Sequence, residues 1–121
     1  MEEEVLNVLR TGHLPILAHI ERYACLTHAQ KRLDYLKKEY DVFFQVNADS
    51  ILNRLDIFAS RAIKHAIQNE LVDFVASDAH NTRRRASVLQ KTYDKLEEVY
   101  GTECADRITG NHQSMDWFLT I

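Results

Sequence analysis

The sequence predicts an α/β fold built from parallel βα units. Short apolar runs rich in β-branched and aromatic residues occupy positions 15–18, 42–46 and 71–76. Helical stripes lie between and after them, and each run ends in a small group of polar residues. The runs are almost continuously apolar and do not alternate, as expected of strands buried on both faces of a parallel sheet. The first helix carries Ala29, Leu33, Leu36 and Tyr40, and the last carries Leu89, Tyr93, Leu96 and Tyr100; both follow the i, i+4, i+7, i+11 spacing of a single apolar stripe. A third helix is expected over 57–71, with Ile63, Ala66 and Ile67 facing inward. Thr27 and Gln30 fit the S/T-x-x-E/Q capping box, which places the start of the first helix just after Thr27. Beyond Gly101 the tail has room for one more brief helix over 104–108.

The bulk properties bound the function. The chain has 121 residues, one domain by size, and its 45% hydrophobic content with three Gly and one Pro is that of a packed, helix-rich chain. A formal net charge of -3 argues against duplex binding, which relies on Lys and Arg to neutralise phosphates. No apolar stretch reaches about 18 residues, and the opening MEEEVLNVLR is acidic where a secretory signal is basic and then apolar. A cytoplasmic chain with no membrane insertion is expected. Cys25 and Cys104 have no paired spacing, which favours reduced thiols.

The polar groups at the strand ends are His19, Glu21 and Arg22, then Gln45 and Asn47, then Ser77, Asp78, His80 and Asn81. Parallel strands share one carboxyl edge, where ligands bind and catalytic residues sit, so the three groups converge. In VASDAH, Asp78 and His80 stand one residue apart after a buried strand, and such mixed O and N donors suit Mn²⁺, Fe²⁺ or Zn²⁺. An Asp cap beside an exposed His would also account for that motif, and a structural role would account for His19. Arg83, Arg84 and Arg85 fall where the last long helix should start, against its dipole, at a cost of roughly 0.3–1 kcal/mol per charge. A bound phosphate would favour them there, as it would Arg22, whereas an exposed basic turn paired with acids is the plainer explanation. His13, His28, His65 and His112 lack ligand spacing and read as surface or capping residues. A cysteine-based phosphatase needs C-x5-R, but the sixth residue after Cys25 is Lys31 and no suitable Arg follows Cys104, which excludes that mechanism.

The series LPILAHIERY, FFQVNADSIL, VDFVASDAHNTRRR and YGTECADRITGN resembles, in one register, the second half of the PHP-superfamily tyrosine-protein phosphatases of capsule and exopolysaccharide synthesis. The resemblance implies a place in a distorted TIM-like (β/α)7 barrel with a three-metal centre, usually described with manganese. It makes His19, Asp78 and His80 metal ligands, and Arg22 and Arg85 contacts to the substrate phosphate. Such a centre would lower the pKa of a bound water toward neutrality and neutralise charge on the transferring group. The implied substrate is a phosphotyrosine protein, and the implied partner is an autophosphorylating tyrosine kinase controlling polysaccharide export.

The sequence departs from that family at Ile20, where Pro is usual, at Asp49, where Gly is usual, and at His112, where Pro commonly follows the Asn. The family's first-half metal motifs have no counterpart in these 121 residues. Activity is therefore expected only when the missing half is supplied, and an opened barrel should self-associate or take a covering partner. Two other readings stay open: another PHP-type phosphoesterase, such as a histidinol-phosphate phosphatase or the PHP module of a DNA polymerase, and a noncatalytic remnant that binds partners or metal weakly.

Overall fold

A computed structural model describes residues 2–53, 56–76, 82–110 and 118–120, with the side chains of 24–25, 82, 84–86 and 118–120 outside the description. Helix α1 (Glu2–Arg10) was not expected from the sequence. It begins with Glu2, Glu3 and Glu4 and ends with Arg10, an order that complements the helix dipole, and it buries Val5 and Val8. A turn through Gly12 at φ 82° leads into strand β1 (Leu14–Leu17). A 3₁₀ turn (Ile20–Arg22) and a one-turn helix α2 (Ala24–Thr27) follow, then α3 (Gln30–Tyr40), β2 (Phe43–Asn47), α4 (Ala48–Leu52), α5 (Ile57–Gln68), β3 (Val72–Ala76), α6 (Thr82–Tyr100), α7 (Thr102–Gly110) and β4 (Phe118–Thr120).

The four described strands form one sheet in the order β3-β2-β1-β4, and every neighbouring pair is parallel. The expected α/β class and the three expected strands are therefore present. Leu17, Phe44 and Val72 stand in register across β1, β2 and β3, and with Ile20 and Val46 they meet Leu33 and Leu36 of α3, Ile63 and Ile67 of α5, Leu96 of α6, and Ala105 and Ile108 of α7. Pro15 falls before the pairing with β2 begins at Ile16↔Phe43, so its missing N–H leaves that ladder intact. On the opposite sheet face Phe43 and Phe74 pack with ring centroids 6.1 Å apart.

Helix α3 starts at Gln30, with Ala29 and not Thr27 at its N-cap position. Thr27 ends α2, its N–H donates to the Tyr23 carbonyl at 2.9 Å, and the residue ahead of α3 is Ala29, which makes no side-chain cap. Thr27 is already bonded into the preceding turn, so the next helix has to start afresh. Asp56 does cap α5, accepting from the Ala59 N–H at 2.9 Å. The expected tail helix is present and longer, as α7, while β4 was not anticipated.

The β2–β3 register shifts between Phe44 and Gln45, because Asp73 is an extra residue between the partners of those two positions. Its carboxylate accepts the Phe44 N–H at 3.0 Å and pairs with Lys37 of α3. The Lys37 ammonium also lies 5.0 Å from the Phe43 ring centre and 5.5 Å from that of Phe44. Asp73 thus compensates for the disrupted ladder and fastens α3 to the sheet. On β3 the Arg107 guanidinium donates to the Val72 carbonyl at 2.9 Å, covering a polar group of a strand at the edge of the described sheet. The Tyr93 hydroxyl donates to Asp106 at 2.6 Å and ties α6 to α7.

Asp73→Ala should lower the unfolding free energy by about 3 kcal/mol, since it strands the Phe44 N–H and Lys37. Asp73→Asn, which keeps an acceptor, should cost roughly 1 kcal/mol. Urea denaturation of both variants checks the order. The hydrogen bond to Asp106 pushes the Tyr93 phenol from 10.0 up to about 12. The folded chain therefore holds that proton after the unfolded chain has lost it. This contribution to stability is whole below pH 10 and disappears between pH 10 and about 12. Ultraviolet titration should show one tyrosinate appearing near pH 12 in the native protein and absent from Tyr93→Phe.

Candidate metal and phosphate site

The carboxyl edge of the sheet is assembled from the ends of β1 and β2. His19 follows β1 with φ 54° and ψ 51°, a left-handed conformation that costs a non-glycine residue roughly 1–2 kcal/mol. That bend starts the 3₁₀ turn, in which the Arg22 N–H donates to the His19 carbonyl at 2.9 Å and the Tyr23 N–H donates to the Ile20 carbonyl at 3.2 Å. Ile20 is anchored in the core, Glu21 is buried and Arg22 is exposed. The turn thus presents a cation to solvent directly beside a half-buried imidazole.

His19 Nδ1 is buried and has no hydrogen-bond partner among the described residues. A buried polar atom left unpaired is costly, and in native proteins it asks for a ligand or water. A divalent metal suits this donor, because a neutral imidazole nitrogen is among the commonest metal ligands. Among the described residues no three His, Cys, Asp or Glu side chains gather as a metal-binding group. Asp78 and His80, the other two expected ligands, lie outside the described residues.

At the end of β2, Asn47 is almost fully buried and its side chain accepts the Asp49 N–H at 3.0 Å, capping α4. β3 ends at Ala76, in register with Asn47, so its carboxyl end lies beside this junction. Arg83, Arg84 and Arg85 do stand in the first turn of α6, as expected from sequence, and that turn contains no acidic residue. Arg83 is exposed; for Arg85 the described structure gives the backbone position alone.

Glu21 has a part at this edge that the sequence did not reveal. Its Oε1 accepts from the Asn47 N–H at 3.3 Å and from the Ser50 hydroxyl at 2.7 Å, while Oε2 is buried with no partner among the described residues. The partners lie 26 and 29 residues away, beyond any local spacing. The remaining expectations concern residues elsewhere. His65 pairs with Asp34 at 3.0 Å, tying α5 to α3, so it is more than a surface residue. His28 is exposed and its ring centre lies 4.2 Å from that of Phe58. Burial pushes the Cys104 thiol above its ordinary range, against a partial opposing pull from Arg107, as suits an unreactive cysteine. A cleft of about 410 Å³ opens between α5 and the α6–α7 corner and another of about 420 Å³ between α4, α5 and α6, and neither includes His19 or Arg22.

The fold and this edge define a parallel α/β protein with a half-buried imidazole and an exposed guanidinium on one turn at the carboxyl edge of its sheet. Residues 1–115 match the sequence model of the family described as capsular polysaccharide synthesis, CpsB/CapC, and the chain belongs to that family. It is 30% identical over 107 residues to the tyrosine-protein phosphatase CpsB of Streptococcus pneumoniae, covering 84% of this chain and 44% of that protein. It is 32% identical over 108 residues to the protein of the same name from Streptococcus agalactiae serotype V, with the same coverage of 84% and 44%. With the tyrosine-protein phosphatase YwqE of Bacillus subtilis it shares 30% identity over 104 residues, 83% of this chain and 39% of the relative. The chain therefore spans less than half the length of these curated relatives.

If His19 is kept for a ligand and not for packing, His19→Gly should not weaken the fold. Relief of the left-handed strain and removal of an unpaired nitrogen should leave the unfolding free energy unchanged or raised by up to about 1 kcal/mol in thermal or urea melts. A loss of about 2 kcal/mol or more would mark His19 as a structural residue.

Proposed function

We propose that this chain is the carboxyl-terminal portion of a metal-dependent protein-tyrosine phosphatase acting in capsular or exopolysaccharide synthesis, and that its parallel units form part of a (β/α)7 PHP barrel. The observation that carries the reading is the buried His19 Nδ1 at the carboxyl edge of the sheet, without a hydrogen-bond partner among the described residues, in a chain whose family relatives are named tyrosine-protein phosphatases. His19, Asp78 and His80 would hold the metal, with Mn²⁺ the first candidate. When bound, it would supply Lewis-acid activation of water and neutralise phosphoryl charge.

The chain's own residues account for recognition and orientation. Arg22, exposed on the turn after β1, would fork onto two phosphate oxygens. Arg85, in the first turn of α6, would contribute a second guanidinium where helix N–H groups also favour an anion. The leaving tyrosinate has a pKa of about 10, so its departure needs only modest protonation. The substrate would be a phosphotyrosine protein, an autophosphorylating tyrosine kinase by the family resemblance. The site would be completed by the remainder of a phosphatase of the relatives' length.

Hydrolysis of p-nitrophenyl phosphate with added Mn²⁺ tests this reading, beside elemental analysis and the double variant Asp78→Ala, His80→Ala. Bound manganese and turnover in the chain extended to the relatives' length, with turnover falling by about two orders of magnitude or more in the variant, are expected. Neither metal nor turnover, including in a chain extended to the relatives' length, would leave a noncatalytic fold in place of an enzyme.

A further inference from the structure

Glu21 is 8% exposed, yet it carries a carboxylate where an apolar side chain could fill the same space without desolvating an acid. Its surroundings explain why it is there. Ile20 fixes one side of the 3₁₀ turn in the core, but a single apolar anchor leaves the turn free to pivot about it. Glu21 adds a second attachment at a different point, because Oε1 takes the Asn47 N–H at 3.3 Å and the Ser50 hydroxyl at 2.7 Å. Those donors are themselves fixed, one being the last residue of β2 and the other belonging to α4, whose start the Asn47 side chain caps. With Ile20 and Glu21, the two residues between His19 and Arg22, thus placed, the backbone at His19 is held in its left-handed bend and Arg22 is left facing solvent. Glu21 Oε2 and His19 Nδ1, two residues apart on this one turn, are both buried and without a partner among the described residues.

We propose that Glu21 is a positioning residue of this site: through Oε1 it locks the His19–Arg22 turn to the β2–α4 junction and so sets the imidazole and the guanidinium relative to each other. What the positioning serves rests on the metal and phosphate reading above, whereas the positioning itself rests on geometry alone. The contact also links β1 and β2 at their carboxyl ends through side chains, where a sheet ladder would otherwise stop.

The test compares Glu21→Ala, Glu21→Gln and Ser50→Ala in the same chain by residue-resolved hydrogen exchange and by Mn²⁺ titration. Glu21→Ala should speed exchange of the Arg22 and Tyr23 amides by about tenfold or more, while Leu33 and Leu36 in α3 keep their protection. Glu21→Gln, which retains an acceptor oxygen, should stay within about threefold of the parent, and Ser50→Ala should give a weaker version of the alanine pattern. Mn²⁺ affinity should follow the same order, about tenfold weaker for Glu21→Ala and near the parent for Glu21→Gln. Equal losses in the Ala and Gln variants would overturn the proposal in favour of a role for the charge. Loss of protection throughout α3 in Glu21→Ala would overturn it in favour of simple structural support. If the parent binds no Mn²⁺ the functional reading fails, and the exchange comparison still decides the positioning.

Discussion

Parallel pairing of β1, β2 and β3 is the constraint from which the remaining architecture follows. Parallel neighbours cannot be joined by a tight turn, so each connection must cross over, and α3 and α5 provide those crossings. Their apolar faces meet the row of Leu17, Phe44 and Val72, whose alignment fixes which side of each strand faces the helices. The same pairing brings the carboxyl ends of all three strands to one edge, which puts His19, Asn47 and Ala76 in one neighbourhood. The edge is thus a product of sheet chemistry before it is a product of function.

Two departures from regular structure sharpen the arrangement. The Asp73 bulge disrupts a ladder but recovers the Phe44 N–H with a carboxylate and recruits Lys37 from the crossing helix. At the other end of the sheet His19 accepts a left-handed backbone and leaves a nitrogen unpaired inside the protein. Local costs of that kind persist where surrounding contacts over-determine them, and Ile20 in the core with Glu21 at the β2–α4 junction are those contacts. The strain and the unpaired atom coincide in one residue, and this separates His19 from the other described histidines.

The strands were legible because Ile16 and Leu17, Phe44 and Val46, and Val72 and Val75 lie in nearly uninterrupted apolar runs, and the long helices because their stripes repeat every three or four residues. Helix α1 was not, since EEEVLNVLR turns only Val5 and Val8 fully inward and its acidic start reads as a solvated segment. The capping signature at Thr27 misled because local spacing cannot show that this residue is bonded into an earlier turn. Strand β4 pairs with a segment about a hundred residues before it, a contact set by tertiary packing. His19 and Arg22 could be picked out by position after a buried strand, and membership of the capsule-synthesis family agrees with the motifs around them. Glu21 could not, because its meaning lies in Asn47 and Ser50, which only folding brings near.

The central claim is that the carboxyl edge of the sheet is where a metal and a phosphate meet this chain. Paramagnetic broadening by substoichiometric Mn²⁺ in ¹H–¹⁵N spectra addresses it most directly, because each amide reports its distance from the ion. The account predicts that His19, Arg22, Asn47 and residues 77–81 broaden first, while Leu14 and Val72 at the opposite ends of their strands stay sharp. Broadening centred instead on the acidic first turn of α1, or spread evenly over the surface, would contradict it.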